Sequence, residues 1–311
     1  MERSDDIVRV AQLSDTHFVE HGASAEGGFA YDTALAFDAV HTHLESGPDM
    51  DLITVTGDIA DHGRAAQYEQ AASAFSRFTA PVNVCPGNHD QDVAFTAGMG
   101  RPGVGTSRAL QAGPWAFLFV DSNAGVMTPN DAGRFVDPEA YEDRLHGNGS
   151  LAVHEASWVQ DMCSTVDAEH VFIWLHHPPA VPVPLTSNPG YAADWQELLA
   201  KLRNVRGMAG GHTHVPDDYI FEGRPVFVSP ALKNNFDLQA NTLLPPGYRT
   251  FEFLPDGSVT SEVQLVDDPQ WPRNPLGRAV VALFNGELTY AELDEIIARK
   301  QAERAGTQVA T

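Results

Sequence analysis

Ile7-Val8-Arg9-Val10-Ala11-Gln12-Leu13-Ser14-Asp15-Thr16-His17 begins as an apolar run and stops at a carboxylate and an imidazole. The run reads as a buried β-strand, and Asp15 and His17 stand at its C-terminal end. Side-chain direction repeats every two residues in extended chain, so Asp15 and His17 are expected on one side, where both can grip one metal ion. Taken alone, an Asp-x-His at a strand end is more often a loop hydrogen bond than a ligand pair.

The same arrangement recurs downstream. Asp51 to Thr56 reads as a strand and is followed by Gly57-Asp58. Pro81 to Cys85 precedes Gly87-Asn88-His89-Asp90, and Val171 to Leu175 precedes His176-His177-Pro178-Pro179. Gly207 to Gly211 leads into His212-Thr213-His214, where a glycine pair permits a tight turn. In an open α/β sheet the C-terminal strand edge is where ligands gather. Asp15, His17, Asp58, Asn88, His176, His212 and His214 supply oxygen and nitrogen donors and no thiolate. That set fits two divalent ions sharing one carboxylate, which serves phosphate-ester hydrolysis. Asn88 would be a neutral ligand that keeps the site electrophilic. His89 could protonate a leaving oxygen, and Asp90 is either a structural cap or an orienting partner for His89. One of the adjacent histidines His176 and His177 suffices as a ligand; the other contacts substrate or is exposed.

Helical patterns alternate with these strands. The spacing predicts helices over Thr33 to Leu44, with Leu35, Ala39 and Val40 inward, and over Arg64 to Phe78, with Tyr68, Ala71, Ala72 and Phe75 inward. Further helices are expected over Leu151 to Val166 and Tyr191 to Leu202. Asp92 to Gly113 reads as loop, Trp115 to Val120 as strand, and Tyr219 to Glu222, Pro225 to Ser229, Tyr248 to Leu254 and Ser258 to Leu265 as a closing run of strands. Alternating β and α segments with an all-β end imply an α/β fold of two packed mixed β-sheets flanked by helices. A catalytic domain is expected over 1–266. Residues 267–311 then form a linker, Pro269 to Pro275, and a helix, Thr289 to Arg304, that caps the cleft or contacts a second copy. The apolar face of Ala291, Leu293, Ile296 and Ile297 favours a homodimer.

The chain has 311 residues, 43% of them hydrophobic, enough for a sizeable core. Its 19 basic and 42 acidic side chains give a net charge of −23. So acidic a surface repels nucleic-acid polymers and anionic membranes at long range. No apolar run reaches the roughly 20 residues of a membrane span, and no signal peptide is visible. Its 2 cysteines, Cys85 and Cys163, lie in apolar stretches and read as free core thiols of a reducing compartment, so a cytoplasmic location is expected. Of the remaining histidines, His41 and His43 are expected exposed, and His21 and His62 lie near ligand clusters. Trp115, Trp158, Trp174 and Trp195 read as core.

The order of clusters resembles the calcineurin-like metallophosphoesterase superfamily over roughly Ile7 to Leu265. Within it, Asp15-Thr16-His17-Phe18, Leu175-His176-His177-Pro178-Pro179 and Pro246-Gly247-Tyr248-Arg249 are most similar to the class III cyclic-nucleotide phosphodiesterases and their glycerophosphodiesterase relatives. The resemblance implies a four-layer αββα sandwich. It also implies two ions, with Asp15, His17 and His214 on the first, Asn88, His176 and His212 on the second, and Asp58 bridging. His89 resembles the non-ligand histidine beside the scissile phosphate. Oxygen and nitrogen donors with open positions suit Mn, Fe, Co or Zn. A water shared by the ions, acidified toward a pKa of about 7, would attack phosphorus in line. The expected substrate is a small phosphodiester, a 3′,5′-cyclic nucleotide such as cAMP first and a glycerophosphodiester second. Phosphomonoesterase or nucleotide pyrophosphatase activity is the next alternative, and a metal-binding scaffold without turnover the last. The Glu20 to Tyr31 and Asn123 to Gly149 loops match no one member, which leaves specificity open.

Overall fold

The computed structural model describes residues 7–20, 33–90, 92–123, 147, 149–183, 186–268 and 277–308. In the first half, β1 (Val8–Leu13), β2 (Leu52–Thr56), β3 (Val82–Cys85), β4 (Val104–Gly105), β5 (Ala109–Ala112) and β6 (Trp115–Phe119) interleave with α1 (Thr33–Glu45), α2 (Ala65–Phe75) and α3 (Asp92–Met99). The second half holds α4 (Val153–Thr165), β7 (His170–Trp174), α5 (Pro189–Leu199), β8 (Val205–Gly210), β9 (Asp217–Phe221), β10 (Arg224–Val228), β11 (Asn235–Asp237), β12 (Thr242–Leu244), β13 (Gly247–Phe253) and β14 (Val259–Leu265). Two helices follow, α6 (Gly277–Phe284) and α7 (Tyr290–Gln308).

The strands form two six-stranded mixed sheets, ordered β14-β13-β1-β2-β3-β4 and β5-β6-β7-β8-β10-β9. Strands β1 to β4 run parallel in the first; β6, β7, β8 and β10 do so in the second. Every residue of β2, β3, β6 and β7 is buried. That is why these segments read as unbroken apolar runs: both faces are covered. Between the sheets lies an aromatic layer. Phe253 meets Phe117 at 4.8 Å and Phe172 at 4.9 Å, and Trp174 meets Phe251 at 5.1 Å, mostly edge to face. Phe37 and Val40 of α1 and Tyr68 and Phe75 of α2 join the core on the outer face of the first sheet. Val159 of α4 and Trp195 of α5 do the same on the second. The four-layer arrangement expected from the sequence is the one found.

Details differ. The inward face of α1 is Thr33, Ala36, Phe37, Val40 and Leu44, whereas Leu35 is exposed. Asp92 to Gly113 is not loop but α3, β4 and β5. Its periodicity is weak in sequence, and the fold supplies the contact: Phe95 and Met99 are buried, Phe95 edge-on to Tyr68 of α2. The β11–β12 hairpin and α6 were not foreseen; α6 seats Gly277 against Leu243 and Phe284 against Phe236. His41 is half-buried against Phe37 and Phe78 rather than exposed. Trp115, Trp174 and Trp195 are fully buried, while Trp158 lies partly buried under the Arg108 guanidinium. Pro269 to Pro275 and most of the Glu20 to Tyr31 and Asn123 to Gly149 loops lie outside the described residues, as does His21. Among the described residues no helix is long and apolar enough to cross a membrane.

Candidate functional site

Parallel strands of both sheets end at one edge of the sandwich, and their C-terminal loops converge there. Asp15 and His17 follow β1, Asp58 follows β2, and Asn88 and His89 follow β3. His176 follows β7, and His212 and His214 follow β8. All eight candidate site residues are brought together. Asp15, His17, Asp58, Asn88, His89 and His176 are buried, and His212 and His214 are half-buried. In Asp15–His17–His214, Asp15–Asp58–His176 and His17–Asp58–His89 the donor atoms lie within 4.8 Å of one another.

The loops reach this arrangement by a route the period-two argument did not anticipate. Asp15, His17, Asp58, His212 and His214 all take positive φ, between 42° and 68°, so neither x-spaced pair is extended. Left-handed backbone costs a non-glycine residue about 1–3 kcal/mol and persists where the surroundings impose it. Here the backbone ladder imposes it: Gly57 O accepts from Asp15 N and Asp58 O from His17 N. Its concentration on these residues points to a site.

The two oxygens of Asp58 look in different directions. Oδ2 stands 3.6 Å from His17 Nε2 and 3.9 Å from His89 Nε2, whereas Oδ1 stands 3.3 Å from His176 Nε2 and accepts the His89 backbone N–H at 2.9 Å. Asp15 Oδ1 lies 3.2 Å from His214 Nε2, and Asp15 Oδ2 accepts from His212 N. Asn88 Oδ1 is 3.0 Å from His176 Nε2 and 3.2 Å from His177 Nε2.

Backbone carbonyls fix the tautomers. Nδ1 of His176 donates to Thr56 O at 2.7 Å, that of His214 to Asn234 O at 3.2 Å, and that of His89 to Asp61 O at 2.7 Å. Each Nε2 then turns its lone pair inward, the usual preparation of a metal-binding imidazole. Lone pairs facing carboxylate and amide oxygens repel unless a cation lies between them. Asp15 Oδ1 and both ring nitrogens of His17 are moreover buried without a hydrogen-bond partner among the described residues. Burial, then the Lys233 charge, lowers the His17 imidazole to about 4, and burial, then His176, lowers His212 to about 3. Both are therefore neutral. Burial alone would lower His176 too, but Asp58 and then Asp15 outweigh it and push it up to about 9. Burial opposes ionisation of Asp58, yet the charges of His176 and His89 hold its carboxyl well below the usual range. Buried donor atoms without partners, set against buried carboxylates, fit a metal.

The open alternatives resolve structurally. His177 is buried, with Nδ1 2.8 Å from Ser122 Oγ and its carbonyl accepting from the Tyr191 hydroxyl, so it is not exposed. Asp90 is a cap: its carboxylate accepts from Ile59 N, Ala60 N, Gly87 N and the Tyr68 hydroxyl, tying the β2 loop to the β3 loop. Lys233 was missed. A single lysine in Ala231-Leu232-Lys233-Asn234 carries no periodic or motif signal, yet its ammonium is buried 2.5 Å from Asp61 Oδ1.

Known proteins bear on this geometry. The family model of calcineurin-like phosphoesterases matches residues 8–216. The 3′,5′-cyclic adenosine monophosphate phosphodiesterase CpdA of Escherichia coli K12 is 26% identical over 275 residues, covering 85% of this chain and 92% of its own. A probable cyclic nucleotide phosphodiesterase of Synechococcus is 25% identical over 268 residues, 83% of this chain and 92% of its own. Among solved structures, a dimetal phosphatase from Danio rerio superposes with a TM-score of 0.55 at 14% identity, covering 84% of this chain and 100% of its own. GAP50 of Plasmodium superposes with a TM-score of 0.57 at 12% identity, over 92% and 96% respectively. These structural likenesses speak to the fold. The chain belongs to the calcineurin-like phosphoesterase family and is a metal-dependent phosphoester hydrolase.

Proposed function

We propose that the protein is a dinuclear phosphodiesterase of small diesters, hydrolysing 3′,5′-cyclic nucleotides, cAMP to 5′-AMP foremost. The observation that carries this is the divided carboxylate of Asp58, with Oδ2 toward His17 and Oδ1 toward His176. Asp15, His17 and His214 would hold one ion and Asn88, His176 and His212 the other, with Asp58 between them. Two divalent ions there would polarise the phosphate and acidify a water as nucleophile. The protein's own part is positional. Neutral Asn88 leaves the centre more electrophilic than a third carboxylate would. His89, with Nδ1 tied to Asp61 O, directs Nε2 toward the same space as Asp58 Oδ2, where a protonated ring can donate to the leaving oxygen. Mn, Fe, Co or Zn all suit the donors.

The cyclic-nucleotide assignment draws support from relatives named as cyclic-nucleotide phosphodiesterases that match over nearly their full length. Net charge of −23 argues against polymeric nucleic acid and supports a small ester held by metal against the outer field. The test is turnover of cyclic AMP and glycerophosphocholine side by side by the Mn²⁺-loaded enzyme, normalised to an aryl phosphodiester. Preference for cyclic AMP is expected. Preference for glycerophosphocholine would replace the substrate, and full activity after complete metal removal would overturn the mechanism.

Residues 267–311 are proposed as an extension to a catalytic domain of 1–266, in a cytoplasmic protein. Phe284 packs on Phe236, which stacks on the His214 ring at 5.8 Å, and this favours a cap beside the site. Thr289 opens α7 with a capping box to Glu292. Light scattering of a chain ending at Asp267 separates the cap from a dimer contact.

A further inference from the structure

We propose that Lys233 is a positioning residue of the hydrolytic site, acting through Asp61; this rests on the dinuclear reading above. The loop between β10 and β11 is zipped onto the end of β1. Leu232 N donates to Ser14 O and Lys233 N to Asp15 O, both at 3.2 Å. That carries the lysine side chain beneath the candidate ligands, where it is 7% exposed. Its ammonium lies 2.5 Å from Oδ1 of Asp61, whose side chain is fully buried.

Asp61 touches both halves of the machinery. Oδ1 also stands 3.1 Å from His17 Nδ1, Oδ2 stands 3.2 Å from His62 Nδ1, and the backbone carbonyl accepts from His89 Nδ1. A negative carboxylate 3.1 Å from His17 Nδ1 favours by its charge the proton on that nitrogen, which leaves Nε2, on the Asp58 side, as the ligand atom. But Asp61 is buried against His17, whose other ring nitrogen stands 3.6 Å from Asp58 Oδ2. Without its partner on Lys233 the carboxylate would be free to swing inward and compete as a ligand. The ammonium of Lys233 pins Asp61 behind His17. Lys233 therefore shapes the ion site that contains His17 without touching ion or substrate.

The experiment is calorimetric titration of metal-free protein with Mn²⁺. Wild type, Lys233→Met, Asp61→Asn and the double variant are compared, with circular dichroism as a check on folding. Lys233→Met is expected to weaken one of two binding events roughly 10- to 100-fold, the scale for removing the support of a ligand histidine. The other event stays near the wild-type value. Asp61→Asn should do the same, and the double variant should lose no more than Asp61→Asn alone. Lys233→Arg should recover part of the loss. Unchanged affinities in Lys233→Met overturn the proposal. So do losses that multiply in the double variant, because they would mean that Lys233 acts independently of Asp61. If Lys233→Met does not fold, Lys233→Gln, which keeps a donor toward Asp61, takes its place with a loss of at least about threefold expected, a fraction of the range above. Wild type taking up a single Mn²⁺ would instead overturn the dinuclear reading itself.

Discussion

Gly57 leaves no room for a side chain because the His176 imidazole occupies that space: a Cβ built on Gly57 would stand 2.5 Å from Nδ1 and 2.6 Å from Cγ. The two residues are far apart in sequence and belong to different sheets, and their contact sets the angle at which His176 enters the centre. Gly57 also has φ of +82°, which a Cβ would strain. Gly57→Ala is therefore expected to lower kcat/KM at least about 100-fold although no candidate ligand changes, by the sensitivity of metal sites to their supporting shell. Thermal unfolding should show a stability loss of about 1–3 kcal/mol. A variant with wild-type turnover would mean that His176 tolerates displacement and is not a ligand.

Asn88→Ala removes the amide oxygen that faces His176 Nε2 and His177 Nε2. The expected result is loss of at least about 100-fold in turnover of an aryl phosphodiester, with far-UV circular dichroism unchanged, because a small buried truncation at a loop leaves both sheets intact. The backbone N–H of His89 still donates to Asp58 Oδ1, so the loop keeps its anchor. Undiminished turnover would remove Asn88 from the site.

Much of this site could be read in the sequence because each cluster follows a buried strand, and strand ends in an α/β sandwich share one edge. Asp15, Asp58, Asn88, His176 and His212 announce themselves by residue type and place. What escaped was what depends on distance in space alone. Lys233 acquires a meaning only where the loop after β10 meets the end of β1. Helix α3 has too weak a periodicity to be seen until Tyr68 covers Phe95, and the β11–β12 strands are three residues each. The inward face of α1 was misread by choosing Leu35, because one exposed leucine on a helix is indistinguishable from a buried one until the sheet is in place.

Both cysteines should be slow thiols. Burial raises Cys85, and burial pushes Cys163 up to about 11. A raised pKa means less thiolate at a given pH, about one part in a thousand for Cys163 at pH 8. A chromogenic disulfide reagent at pH 8 is expected to titrate well under one equivalent within minutes in the folded protein and both thiols in denaturant. Rapid reaction of two thiols in native buffer would contradict the burial of Cys85 under the first sheet.

Metal removal should cost stability as well as activity. Asp15 and Asp58 are buried together, and the charges that hold them ionised there are those of neighbouring imidazoles. A ligand that binds the folded state alone stabilises it by about 2.7 kcal/mol when present at about 100 times its Kd. The melting temperature should therefore rise with Mn²⁺ concentration, fall on chelation and recover on reloading. A melting temperature indifferent to chelator would mean that the cluster holds no ion.

Arg249 tests the opposite case, a motif residue with a structural task. It lies in Pro246-Gly247-Tyr248-Arg249, one of the stretches that carries the family resemblance, yet it is not among the clustered donors. Its side chain is 1% exposed, between strands of the two sheets. There it donates to Asp218 Oδ1 at 2.6 Å, Val228 O at 3.0 Å, Asp217 O at 3.3 Å and Ser261 Oγ at 3.2 Å. These partners belong to β9, β10 and β14, so one side chain ties the edges of both sheets. Truncation leaves the buried Val228 carbonyl without its donor and removes the packing on Phe227, and Arg249→Ala is expected to lose about 2–4 kcal/mol in denaturant unfolding. Arg249→Lys should recover only part, because a single ammonium cannot reproduce the planar fork. Turnover per folded molecule should stay within about twofold, because the guanidinium contacts none of the candidate ligands. A large loss of kcat without loss of stability would move Arg249 into the catalytic machinery.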